Sequence, residues 1–220
     1  LQVDTTTVSP PSTLLALSEG WRALLEASTL IPSMPILRNL PQGDGHPVYV
    51  LPGFMADSQS TAMLRRWLDR QGYTAIPWGF GRNLGPRGVL MERIVVTVGE
   101  IAREHKQPVT LIGQSLGGVF AREIAKIIPQ HIRQVVTLGA PFRQTGTSGT
   151  APAVMRLFEL ATGQKADEVK RGMGDISRPP PVPSTAIYSR TDGVAHWKTC
   201  IEEEHPHTDN VEVYASHCGM

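Results

Sequence analysis

Cysteine is scarce in this chain: Cys200 and Cys218 are the only two in 220 residues. That is too few for a disulfide-built scaffold, and the pair lacks the CxxC spacing of a zinc or redox site. Charge of one sign is not in excess either. The 21 Lys and Arg against 20 Asp and Glu leave a formal +1, too weak a field to draw in nucleic acid, so no nucleic-acid partner is expected. An unbroken apolar run of about 18 residues is missing, so no segment is expected to span a membrane. Repeats with a period of about 20–50 residues are absent, which sets solenoids and propellers aside. The opening stretch "LQVDTTTVSPPS" lacks the basic start and apolar middle of a secretory signal. Cofactor and metal signatures are missing too. His205, His207 and Asp209 in "EEEHPHTD" fit no zinc spacing and read as a solvated acidic loop, so no metal and no cofactor are expected.

What is present is ordinary globular material. Hydrophobic residues at 40% and charged residues at 19% are enough to close one core. Six strand-like runs are expected: Pro47–Gly53, Tyr73–Trp78, Pro108–Gly113, Arg133–Gly139, Ser184–Ser189 and Val211–Ser216. Helical spacing alternates with them: residues 60–72, 89–105 with Leu90, Ile94, Val98 and Ile101 on one face, and 116–128 with Val119, Phe120, Ile124 and Ile127. Strict alternation of strand and helix predicts a mostly parallel sheet with helices on both faces. Ahead of this body, residues 1–46 form an accessory segment with one helix, capped by Ser12 and carrying Leu14, Leu17, Trp21, Leu24 and Leu25 at helical spacing. The body spans 47–220. Within it, about 142–183 breaks the rhythm with a Gly/Thr/Ser-rich entry, a helix-like "APAVMRLFELATG" and a Pro-rich exit. This insertion reads either as a decorated crossover or as a small cap over a site at the strand ends. The last strand-like run is followed by only a few residues, so a further C-terminal helix is expected beyond Met220.

The stretch "LIGQSLGGVF" carries the chemistry. Gly113-Gln114-Ser115-Leu116-Gly117 matches G-x-S-x-G between a strand and a helix. A protruding nucleophile needs that junction, because the backbone beside the turn has no room for Cβ atoms. A serine hydroxyl is a poor nucleophile near neutral pH, so a base must take its proton and a carboxylate must orient the base. The chain order that accompanies this elbow is Ser, then acid, then His. Of the seven histidines, His46 and His105 precede the serine, and His131 precedes any strand that could deliver an acid. His196, His205, His207 and His217 remain.

The segments "VLPGF", "GQSLGG", "YSRTDGVAHW" and "VEVYASHCGM" resemble the α/β-hydrolase family, in particular its bacterial lipases and esterases. The resemblance runs from about Pro47 to the C-terminus and implies the α/β-hydrolase fold. Carried over residue by residue, it implies Ser115 as nucleophile, Asp192 in "SRTDG" as acid and His217 in "SHCG" as base. His196 is the rival base, although a place on the pocket wall suits its position on the acid's own loop better. The oxyanion donors implied are the backbone N–H groups of Leu116 and Phe54. Met55, His196 and Trp197 are expected to line the substrate pocket. A disulfide between Cys200 and Cys218, which lipases with a bridge near the site support, would tie the acid loop to the base loop. Its redox requirement bears on location: the chain is expected to be soluble, with the cytoplasm favoured unless that bridge forms.

The function so implied is hydrolysis of a small-molecule or lipid carboxylic ester through an acyl-enzyme. An acyltransferase would use the same triad, and a non-catalytic ligand-binding protein would keep the fold without it. A cap with an apolar underside would touch lipid surfaces transiently, although Val154, Leu157 and Phe158 read equally as core. Oligomeric state has no signal in the sequence.

Overall fold

The computed structural model describes residues 8–37, 39–143, 149–163 and 175–220. In chain order the elements are α1 (Thr13–Leu37), β1 (Pro47–Leu51), α2 (Ala62–Arg70), β2 (Thr74–Pro77), α3 (Leu90–His105), β3 (Val109–Gln114), α4 (Leu116–Ile127), β4 (Ile132–Leu138), α5 (Pro152–Thr162), β5 (Ser184–Tyr188) and β6 (Thr208–Glu212). Six strands form one sheet in the order β2-β1-β3-β4-β5-β6, and every neighbouring pair is parallel. A parallel sheet among helices is what the alternating pattern predicts, and the architecture is that of the α/β-hydrolase fold, which the resemblance implies.

Side chains alternate across a strand, and the central strands use both faces. On β1, Tyr49 and Leu51 pack with Ile94 and Val98 of α3 and with Phe120 and Ile124 of α4. Val48 and Val50 face the other way, onto Leu64 and Leu68 of α2. Burial on both faces explains why β1 and β3 read as continuous apolar runs, whereas the edge strands β2 and β6 are largely exposed.

The chain leaves β1 towards β2 on one side and returns to β3 on the other, so the strand order reverses at β1/β3. Open α/β sheets bind ligands in the crevice at the carboxyl ends of strands flanking such a reversal. The loop after β1 and the turn after β3 meet there.

Two boundaries and the orientation of one helix stand out against the sequence reading. Helix α1 runs on past Pro32 and Pro35 to Leu37. The apolar stripe on α1 faces solvent, with Leu14, Leu17, Trp21 and Leu24 each 65–84% exposed. The last strand lies earlier than Val211–Ser216: its register pairs Thr208 with Ser184 and Glu212 with Tyr188. After Val213, whose amide still donates to Tyr188 O, the chain leaves the sheet, and Ala215, Ser216 and His217 become buried. The apolar alternation in "VEVYAS" therefore runs past the strand: Val211 lies exposed within it, whereas Ala215 is buried beyond it.

The exit of the insertion is tied to the body by Arg122 on α4, which is fully buried and ion-paired with Glu202. Its guanidinium donates to the carbonyls of Ser177 and Arg178, both at 3.1 Å, and lies 3.6 Å from the Phe142 ring centroid.

Candidate active site

Ser115 stands between β3 and α4 with φ 51° and ψ −121°, a conformation in which a non-glycine backbone is strained. The turn is held by the Ser115 amide donating to Leu138 O on β4 at 2.8 Å. The flanking glycines are steric necessities. A Cβ on Gly113 would overlap the Gly117 carbonyl, and one on Gly117 would overlap the Leu51 carbonyl. Helix α4 can therefore begin directly over the sheet, with Leu116 as its first residue, where amide N–H groups have no intrahelical acceptor.

Asp192 and His217 meet above the ends of β5 and β6. His217 Nδ1 is 2.7 Å from Asp192 Oδ2, and both side chains are buried. The other carboxylate oxygen, Oδ1, accepts from the amides of Val194 at 2.7 Å and Ala195 at 2.8 Å, so the acid is held by its own loop. Gly139, just after β4, marks the centre of the arrangement. A Cβ placed on it would lie 3.1 Å from both Asp192 Oδ2 and His217 Nδ1, and it directly follows the residue that receives the Ser115 amide. On the nucleophile's side, Gln114 Nε2 donates to His217 O at 3.3 Å. The structure contains no hydrogen bond from Ser115 Oγ to His217. With Nδ1 engaged by Asp192, Nε2 is the ring nitrogen left to receive a proton, and such nucleophile–base bonds commonly tighten only around substrate.

The loop after β1 is held by a residue from the loop after β2. Asn83 is fully buried. Its Nδ2 donates to Pro52 O at 2.9 Å, its Oδ1 accepts from Gly85 N at 3.1 Å, and its backbone exchanges hydrogen bonds with Met55 N at 2.7 Å and Ala56 O at 2.8 Å. Met55 is thereby kept at φ 65°, with its amide already engaged. The Phe54 amide, by contrast, holds no hydrogen bond among the described residues, as an oxyanion donor requires. The Phe54 ring packs against Phe158 of α5, with centroids 5.1 Å apart. Phe158 also closes on Gly85, which brings the inserted helix over both loops at this end of the sheet.

Among the described residues no hydrogen bond, ion pair or ring contact joins His196 or Trp197 to Ser115, Asp192 or His217. His196 Nδ1 accepts from Lys198 N at 3.3 Å. Burial, reinforced by Lys198 and opposed by Asp192, lowers its pKa. The Trp197 ring stacks on Tyr188 of β5, with centroids 5.8 Å apart, and carries the Arg190 guanidinium at 4.6 Å. The expected disulfide is not formed: Cys200 is a buried free thiol and Cys218 an exposed one. Cys200 Sγ points to His196 O at 3.8 Å and Thr199 Oγ1 at 3.6 Å, inside the acid loop. Burial, with Asp192 nearby, pushes this thiol far above its ordinary pKa. Among the described residues no group of His, Cys, Asp or Glu is arranged to hold a metal, and no helix is long and apolar enough to cross a membrane.

Sequence reasoning missed α1 altogether as part of this neighbourhood. Glu19, Arg22 and Glu26 reach the loops that carry Asp192 and His217. The available signal was their spacing, which places all three on the face opposite the apolar stripe.

Residues 46–185 match the profile of the family described as serine aminopeptidase, S33 (Hydrolase_4). No curated protein matches the sequence significantly. Among solved structures, the fold is similar to that of Aspergillus fumigatus lipase B, at 14% identity and TM-score 0.56; 80% of this chain and 49% of that one are covered, so this chain spans about half of that lipase. The monoacylglycerol lipase of Paleococcus ferrophilus is similar at 17% identity and TM-score 0.53, over 78% of this chain and 85% of that one. A structure from the pair LipS and LipT, two metagenome-derived lipolytic enzymes, is similar at 16% identity and TM-score 0.59, over 81% and 87%. At these identities the likeness speaks to the fold.

Proposed function

Because the chain belongs to the serine aminopeptidase S33 family of α/β hydrolases, we propose that it is a serine hydrolase that cleaves carboxylic esters, with Ser115, His217 and Asp192 as its triad. The observation that carries this reading is the buried 2.7 Å bond between His217 Nδ1 and Asp192 Oδ2, set beside a strained Ser115. Ser115 Oγ attacks the ester carbonyl as its proton passes to His217 Nε2. The resulting tetrahedral oxyanion is received by the amides of Leu116 and Phe54. Collapse expels the alcohol, which takes the proton from His217 and leaves an acyl group on Ser115. Water then attacks the acyl-enzyme by the same route, releasing the carboxylic acid and restoring the serine. Asp192 orients the imidazole and stabilises its charged form.

An ester of lipid-like character suits the aromatic wall of Phe54 and Phe158, with Met55 beside it. Helix α5, within the insertion from about 142 to 183, then serves as a small cap over the acyl site; residues 144–148 and 164–174 of that insertion lie outside the described residues.

Intact and peptide mass spectrometry after fluorophosphonate treatment tests the nucleophile. A single adduct on Ser115, absent in Ser115→Ala, is expected, together with turnover of p-nitrophenyl esters that the variant loses. Ester hydrolysis persisting at the wild-type rate in Ser115→Ala would refute the assignment. Adding an alcohol acceptor and analysing products separates hydrolysis from acyl transfer.

A further inference from the structure

Helix α1 is oriented against expectation, with its apolar stripe outward and its charged face docked. Burial of apolar surface therefore does not account for its position. The docked face supplies acceptors to backbone amides that are otherwise enclosed and unpaired, and such amides must find partners. Glu19 is the centre of that face and is only 7% exposed. Its Oε1 accepts from Gly193 N at 2.7 Å, and its Oε2 accepts from His217 N at 2.8 Å and Cys218 N at 3.4 Å. One carboxylate thus spans the residue that follows Asp192 and the backbone of His217 itself. Arg22, one turn on, approaches Glu19 at 3.6 Å and donates to Thr191 O at 2.6 Å and Thr191 Oγ1 at 3.0 Å. Glu26, a further turn on, accepts from Ser216 N at 2.8 Å. The fit is close: a Cβ on Gly193 would stand 2.5 Å from the Leu15 carbonyl, so the acid loop approaches α1 as only a glycine permits.

We propose that Glu19 is a positioning residue for the triad, a role that rests on the hydrolase reading above: it clasps the acid loop to the base loop and so sets the Asp192–His217 geometry from outside the α/β body. Asp192 and His217 sit beyond different strands, and the strand beneath His217 is an exposed edge. Their shared attachment to a third element fixes their separation where the sheet alone would leave it free to vary. Small errors in such alignment are costly, since a displacement of about 1 Å lowers rates by about a hundredfold.

Glu19→Gln tests the clasp with little change of shape. One carboxylate oxygen becomes an NH2 that meets an amide N–H, so one of the two loops loses its acceptor. Three quantities are compared with wild type: the limiting rate constant for fluorophosphonate modification of Ser115, the half-saturating reagent concentration, and the low-field proton resonance of His217 Nδ1. The limiting rate is expected to fall about ten- to a hundredfold, with unchanged half-saturation and a shifted or broadened resonance. Leu17→Ala, on the outward face of the same helix at 84% exposure, is expected to change none of them. A folded Glu19→Gln protein that keeps both the wild-type rate and the wild-type resonance overturns the proposal, whatever its melting temperature. Should Glu19→Ala fail to fold, Glu19→Gln decides alone. Absence of Ser115 modification in the wild type overturns the hydrolase reading instead, and the resonance comparison then still decides whether Glu19 sets the Asp192–His217 pair.

Discussion

Asn83 offers a quantitative test of how the oxyanion loop is held. Asn83→Ala deletes two buried side-chain hydrogen bonds, to Pro52 O at 2.9 Å and from Gly85 N at 3.1 Å, and leaves both partners without the groups that satisfied them. Orphaning a buried polar group costs about 1–3 kcal/mol. Two of them, eased by partial relaxation or entry of water, give an expected loss of about 3 kcal/mol. For a domain of this size that is a fall in Tm of about 6–12 °C. The kinetic effect should be larger than stability alone implies, because the same loop carries the Phe54 amide, and loss of an oxyanion donor lowers turnover by about 10²–10³. Asn83→Asp separates the two bonds. It keeps the acceptor for Gly85 N but sets a second acceptor against Pro52 O, so it should lose activity like the alanine variant. Thermal unfolding and p-nitrophenyl ester kinetics at a temperature where every variant is folded make the measurement. If Asn83→Ala keeps wild-type kcat while its Tm falls, the loop is held by something else and its link to the oxyanion site is wrong.

Two further outcomes follow from the acid and base loops. His196 has a pKa lowered chiefly by burial, so the unfolded chain binds its proton first as pH falls. Stability is full above the ordinary histidine value of about 6.5 and declines as pH drops from there through the lower folded value; melting curves of His196→Gln should show a flatter fall between about pH 7 and pH 5. A wild-type-like slope in that variant would assign the acid sensitivity elsewhere. The two thiols should differ in reactivity. Cys218 is exposed, although burial of its sulfur, Glu19, Asp192 and Glu26 raise its pKa, so iodoacetamide at pH 8 should modify it more slowly than a free thiol. Cys200 should react only after denaturation, and its modification in the folded protein would contradict its placement.

The turn at Ser115 was readable because its requirements are local: the glycines that a sharp turn needs lie within two residues of Ser115. Asp192 and His217 were singled out by chain order and the resemblance, and the structure brings their side chains together at 2.7 Å. Asn83 had no signature as a clamp, because the groups it binds near Pro52 come from 31 positions earlier. Glu19 was further out of reach. Its partners are backbone amides more than 170 residues away, and a backbone amide has no signature in sequence. Periodicity on α1 identified which residues share a face; it carried no information on which face docks. The same limit shifted β6: the apolar residues of "VEVYAS" run on past the strand's end at Glu212, and Ala215 is buried beyond it.

Ser115 and the Asp192–His217 pair rise from parts of the sheet with unequal support. Ser115 rises from β3, which has strands on both sides and helices packed against it, while His217 follows β6, which pairs with β5 alone. Opening of the edge requires far fewer contacts to be lost than opening of the centre. On heating, the base should therefore come adrift while the serine is still presented on an intact core. Inactivation and unfolding are then separate events, and the upper temperature of the chemistry is set at the margin of the sheet, by β6 and the helix that holds its loop, rather than by the melting of the middle.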